Sequence, residues 1–328
     1  MADLNAISKQ GQILNAGDEL AGLLKIYGGE VLTAFTRTSK ALENHMVKTI
    51  EHGKSASFPV FGRMKAGYLK PGKSLDDLRQ APEHNEKVVT IDGLLTSNAI
   101  ITDLYDAMAH FDSRQEYAKQ MGEALAIAAD GAIIAEIAKL AKVTQENATG
   151  LGTGTIIKKT GLGTKVGITA DYGAAIIDAL LELKAKFSMN YVPDSDRFVY
   201  MTPTGVSALI ANKTVLDRDY GGIATIREGN IDMVAGFKII EVPHLTEGGA
   251  DKANMIGTSP EGHEFPADLK PDVAFVAAHR TAVGTLKLKD LSLEQARRAE
   301  YQADMIIAKY AMGHGGLRPE AAAVCTIK

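Results

Sequence analysis

The chain has 328 residues, of which 45% are hydrophobic and 23% charged, so wholesale disorder is excluded and there is material for about two domains. Its 36 basic against 40 acidic residues give a net charge of −4, too weak a field to draw the protein to nucleic acid or an anionic membrane. The single cysteine, Cys325, excludes an intrachain disulfide and most zinc sites and fits a reducing compartment.

The first residues, Met1 to Asn5, carry neither a basic region nor an apolar run, so no signal peptide is expected. The most apolar stretch, residues 125–140, contains Asp130, Glu136 and Lys139, which argues against a membrane span. The expectation is a soluble protein made in the cytosol.

In chain order, residues 1–16 read as a loose arm. Asp18 is placed to cap a short helix over 19–27, which Gly28 and Gly29 would stop. Residues 55–61 and 87–92 alternate apolar positions (Ala56, Phe58, Val60; Val89, Ile91) and read as strands. Between them, residues 62–87 hold ten charged side chains, and their large apolar residues are only Met64, Tyr68, Leu69, Leu75 and Leu78. Pro71-Gly72 supplies a turn in the middle. If the strands continue into this segment they make a two-stranded ribbon with arms of about 12 residues, or ~40 Å. Such a ribbon is marginal in water. Either it is a disordered surface loop, or it becomes ordered on a neighbouring subunit.

Ser113 and Glu116 form a capping box for a helix reaching about residue 142, a length of ~44 Å. Small residues around much of its girth predict a strut packed on several sides. Residues 145–167 read as loop or short strands. Thr169 caps a helix over 170–187, 197–201 is a strand, and Thr202-Pro203 opens a short helix to Asn212. Further strands are expected at 237–242, 273–278 and 285–288. The polar stretch 246–271 is expected to be a surface loop. Residues 304–312 and 320–326, on either side of Gly313-His314-Gly315-Gly316, predict a closing hairpin. Helices and strands segregate without βαβα alternation, so the fold class is α+β.

Residues 67–74, Gly-Tyr-Leu-Lys-Pro-Gly-Lys-Ser, match the phosphate-binding pattern G-x-x-x-x-G-K-[ST] letter for letter. That loop needs a buried strand before it and a helix N-terminus facing the anion after it. Arg63 and Lys65 precede it, Asp76 and Asp77 would repel phosphate, and Pro82 leaves barely two turns of helix. The context contradicts the match. Residues 150–155 miss the dinucleotide pattern, and no nucleophile elbow or H-E-x-x-H is present. The eight histidines are scattered and read as surface or packing residues. Asp194-x-Asp196 and Asp217-x-Asp219 lack the bidentate Glu of a calcium loop. No basic helix suggests nucleic-acid readout, and Arg297-Arg298 reads as a salt-bridged face. No catalytic residue, cofactor or metal is expected. What stands out is an assembly of parts: a charged ribbon, an arm and a strut.

Several stretches resemble the major capsid protein of T7-like short-tailed bacteriophages. They are Gly28 to Phe35, Glu86 to Leu95, Asn190 to Pro193, and above all Gln302 to Asp304 followed by Ile306 to Ala322 (IIAKYAMGHGGLRPEAA). The resemblance runs from about residue 17 to 325. It implies the tailed-phage capsid fold of HK97 type, with an N-terminal arm at 1–53 and an extended loop at 54–92. A peripheral domain would comprise 93–189 and 286–328 with its spine helix at about 113–142, and an axial domain 190–285. The phosphate-like motif then falls at the tip of the extended loop. There Arg63, Lys65, Tyr68, Lys70, Asp76, Asp77 and Arg79 would contact the adjacent subunit and set register. The family further implies hexamers and pentamers of an icosahedral shell around double-stranded DNA, held without sequence-specific binding. It implies a scaffolding protein during assembly and a portal at one vertex, in a virion assembled in the host cytoplasm. A nanocompartment shell on the same fold and a P-loop nucleotide enzyme are the alternatives.

Overall fold

The computed structural model describes residues 39–72, 74–79, 83–103, 113–212, 231–243, 245 and 263–328. The expected arm and the 19–27 helix lie outside these residues. The chain order is β1 (Met46–Thr49), β2 (Ser55–Phe61), β3 (His84–Thr90), β4 (Leu95–Thr102), α1 (Ser113–Ala141), β5 (Thr155–Lys159) and α2 (Ala170–Met189). There follow β6 (Arg197–Met201), α3 (Pro203–Ala211), β7 (Met233–Val234), β8 (Phe237–Glu241), β9 (Val273–His279), β10 (Val283–Arg298), β11 (Ala303–Gly316) and β12 (Ala322–Ile327). Two of the expected caps are made: the Thr169 hydroxyl accepts from Tyr172 N at 3.2 Å and that of Thr202 from Gly205 N at 3.2 Å, while Asp18 and the side chain of Ser113 lie outside the described residues.

The described residues divide into two compact units. The smaller contains 93–103, 113–129 and 288–312. Here β4 pairs antiparallel with β11, with Leu95 opposite Tyr310 and Thr102 opposite Ala303. Arg297 bridges Asp103, at 2.6 Å, and Asp304, at 3.2 Å, so the salt-bridged reading of this arginine holds. The Tyr310 hydroxyl donates to the Leu125 carbonyl of α1 at 3.4 Å.

The larger unit is built on a six-stranded sheet of order β5-β12-β9-β6-β8-β7. Strand β9 is buried at every position, as a strand flanked on both edges and covered on both faces must be. α2 lays Tyr172, Ile176, Leu180, Leu183 and Phe187 into this core. Gly173 lets α2 approach α3, because a Cβ there would stand 2.3 Å from the Ala208 carbonyl oxygen. Residues 130–141 of α1 are buried nearly all round, which is the strut expected from its alanines. Asp130, fully buried, accepts from the backbone N–H groups of Lys40 and Ala41.

Two expectations change. The closing hairpin does not form: β12 pairs parallel with β5 and antiparallel with β9, while β11 pairs with β4. Pro319 and a 3₁₀ turn at Pro319–Ala321 redirect the chain between them. Consequently 155–189 and 322–327 share one sheet and core with 197–279. The described end of the polar stretch 246–271 is not surface loop, because His263, Phe265 and Leu269 are buried.

Candidate assembly interface

The two strands of the ribbon, β2 and β3, run antiparallel with Ser55 opposite Thr90 and Phe61 opposite His84. Pro59 is tolerated because in a two-stranded ribbon a missing N–H can face solvent. Each arm has seven residues, not the dozen expected. The reason lies at Gly62. Its N–H still donates to the Glu83 carbonyl at 2.9 Å, but the next N–H, of Arg63, donates to Thr149 at 3.1 Å and leaves the ribbon. A Cβ on Gly62 would meet Thr149 O at 3.1 Å and Ala148 Cβ at 3.3 Å.

The base of the ribbon rests on the larger unit. Phe58 and Val89 pack with Leu286 and Leu317, and Val60 with Ala148 and Leu151. The Glu83 carboxylate accepts from the Thr149 N–H and hydroxyl, and this hydrogen bonding holds its pKa below the usual carboxylate range. Asn85 donates to the Asn147 carbonyl at 3.0 Å. Arg63 donates to the Asn190 carbonyl and stacks over the Tyr191 ring at 4.3 Å.

Beyond this anchor the described residues of the loop are largely exposed. Residues 63–70 are exposed, with Tyr68 at 100%, Met64 at 65% and, further on, Leu75 at 72%. Asp76 and Arg79 pair at 2.9 Å on the surface, a contact worth under about 1 kcal/mol. Of the residues expected at this interface, Arg63 is drawn into the anchor, whereas Lys65, Tyr68, Lys70, Asp76 and Arg79 lie on the exposed portion. The side chain of Asp77 lies outside the described residues.

The phosphate-binding pattern folds as none of its physics requires. The turn is at Pro71-Gly72, residues 62–70 leading into it are not strand, and a 3₁₀ turn at Leu75–Leu78 follows. The Ser74 hydroxyl accepts from Asp76 N at 3.2 Å, capping that turn. Lys73 lies outside the described residues.

Sequence reasoning missed a second constellation. His45, His263 and His314, read as scattered, are all buried in the larger unit and converge. His45 and His314 flank the Thr285 hydroxyl, at 2.6 and 2.9 Å. The His263 ring lies 5.9 Å from that of His314. His263 reaches Glu136 at 2.7 Å and Asp92 at 2.8 Å. No group of three or more His, Cys, Asp or Glu suited to a metal occurs among the described residues.

Comparison with known proteins accounts for the ribbon and the sheet together. A family model described as Gp10A-like major capsid protein matches residues 57–326. The major capsid protein of Escherichia phage T7 is 50% identical over 327 residues, covering 96% of this chain and 94% of that protein. The capsid structure of the cyanophage P-SCSP1u superposes with a TM-score of 0.73 at 33% identity, covering 87% of this chain and 86% of the other. The fold itself is more widely shared: a virus-like particle from Pyrococcus furiosus matches with a TM-score of 0.53 at 13% identity, covering 92% of this chain and 99% of that one. Fold alone therefore does not assign the family, and sequence does. The chain belongs to the family of major capsid proteins of T7-like phages, structural shell proteins and not enzymes.

Proposed function

We propose that the chain assembles as hexamers and pentamers closing an icosahedral shell, and that the exposed loop 63–79 lies against the adjacent subunit in each ring. The observation that supports this is the split character of the ribbon. Its base is pinned by Phe58, Val60, Val89, Glu83 and Arg63, yet Met64, Tyr68, Leu69 and Leu75 stand exposed just beyond. An apolar set held out on a firm root is placed for a heterologous contact, the kind that closes rings. Lys65, Lys70, Asp76, Asp77 and Arg79 would then fix register at the rim of that contact. In this reading 1–53 is the arm, 54–92 the extended loop, 93–189 with 286–328 the peripheral domain and 190–285 the axial domain.

The same reading includes a scaffolding protein during assembly, a portal at one vertex, double-stranded DNA inside, and assembly in the host cytoplasm. A net charge of −4 suits a container that does not grip its DNA. Deleting residues 65–80 tests the loop's role. The expected product is a folded chain that makes no closed shells by electron microscopy. Closed shells at wild-type yield would overturn the assignment.

A further inference from the structure

The partners of the buried histidines fix where their protons sit. His45 Nδ1 lies 2.7 Å from the Ala41 carbonyl, which can only accept, so Nδ1 carries the hydrogen. Nε2 of a neutral His45 is then an acceptor, and the Thr285 hydroxyl 2.6 Å away donates to it. Having used its one hydrogen, Thr285 accepts from His314 Nδ1–H at 2.9 Å. Burial, aided by Arg280, pushes His45 down to about 4. Burial and the neighbouring His45 and His263 push His314 well below its ordinary value.

His263 is the opposite case. Its Nδ1 is 2.7 Å from Glu136 Oε1, and its Nε2 is 2.8 Å from Asp92 Oδ2, although off the line of a linear hydrogen bond. A carboxylate at each nitrogen calls for a proton on each, which is the imidazolium. Burial opposes that charge, but Asp92 and Glu136 outweigh it and raise the pKa to about 9. The facing groups come from every side: Asp92 just after β3, Glu136 and its partner Lys139 (2.8 Å) on α1, and His314 on β11. Behind His314 stand Thr285 on β10, then His45 before β1, with Arg280 beside it. Glu136 keeps its charge because the contacts to His263 and Lys139 outweigh its own burial.

We propose that His263 is a cationic latch, a positioning residue that ties the root of the ribbon, through Asp92, to the strut helix, through Glu136. Asp92 is two residues beyond the last residue of β3, and Ile91 between them donates to Lys54 O at 2.8 Å, so the latch reaches both ends of the ribbon's base. Its neutral neighbours sharpen it: His314 and His45 carry no charge to repel the imidazolium, and their hydrogen-bond chain leaves no second proton to share. Loss of the His263 proton would leave the Asp92 and Glu136 carboxylates on either side of a neutral ring with one N–H between them, and would loosen the ribbon's root. The latch acts within a single chain, whatever the loop docks onto.

Two mass-spectrometric measurements on the full chain between pH 6 and 10 test it. Deuterium exchange at histidine C2–H gives the His263 titration midpoint, and amide exchange over residues 84–95, corrected for the intrinsic pH dependence, gives the ribbon's protection. The expected result is a midpoint near 9 with a drop in protection of roughly tenfold or more at the same pH. Asp92→Asn should lower both midpoints together by about one unit or more. His263→Gln should be loosened already at neutral pH and show no step. A His263 midpoint at the ordinary value, or ribbon protection that fails to move with it in Asp92→Asn, would overturn the latch. Should His263→Gln not fold, the Asp92→Asn comparison still decides.

Discussion

Arg63 lies across the ring of Tyr191, 4.3 Å above its centroid, and Tyr191 holds that ring in place from a left-handed backbone with φ of 54°. The strain has a local cause. Tyr191 N donates to Ser188 O and Val192 N to Phe187 O, the paired bonds of a Schellman end to α2. The residue at that position is normally glycine, and a larger residue there costs about 1 kcal/mol. The chain spends that energy to present both the Asn190 carbonyl and the Tyr191 ring to Arg63 at the root of the exposed loop.

Tyr191→Gly should therefore move two readouts in opposite directions. The helix end is relieved, so thermal stability of the chain should hold or rise by up to about 1 kcal/mol. The loop loses its stacking partner, so proteolysis within residues 63–79 should accelerate. Arg63→Ala should accelerate cleavage likewise, without the gain. If Tyr191→Gly leaves cleavage unchanged, the stack does not anchor the loop.

Gly313 marks a second close approach. It sits in β11, and a Cβ built on it would stand 2.0 Å from the carbonyl oxygen of Thr90, the last residue of β3. Backbone cannot swing aside as a flexible side chain would. Gly313→Ala should cost on the order of 1–3 kcal/mol or more, read as a lower urea midpoint, and exchange over β3 should rise. Gly72→Ala offers the contrast: nothing lies within 4 Å of its Cβ, and only its φ of 81° opposes the change.

These two sites show what the sequence could and could not disclose. Helix α1, strands β2 and β6, and the caps Thr169 and Thr202 were legible because their signals are local: period, a capping hydroxyl, a proline at the first turn. The fate of β12 was not. Its partners β5 and β9 are chosen by burial in a sheet assembled from remote segments, whereas a glycine-rich stretch before it suggests a hairpin. The seven-residue limit of the ribbon hangs on Arg63 N finding Thr149 O, a contact across the fold that alternation cannot reveal. The histidines were hidden for the same reason, since residues 45, 263 and 314 share no spacing. The exposed apolar set on the loop, by contrast, could be named in advance, because a segment so rich in charge has nowhere of its own to bury Met64, Tyr68 and Leu75.

Acid should weaken the fold through His45 before it protonates most carboxylates. His45 is held neutral by burial, its pKa falling from 6.5 to about 4, and the unfolded chain recovers the ordinary value. Between those two pH values the unfolded state binds a proton that the folded state refuses, so stability rises with pH and is lost as pH falls through that window. Each such group contributes a slope of about 1.4 kcal/mol per pH unit at most. His314, also depressed by burial, acts in the same direction. Protonating His45 at Nε2 would present an N–H to the Thr285 hydroxyl, which would have to accept it and turn its own hydrogen away from His45. Urea titrations from pH 7 to 4 should show a falling midpoint, and His45→Asn should flatten that fall by roughly one proton's worth. An unchanged slope in His45→Asn would mean that the acid sensitivity arises elsewhere.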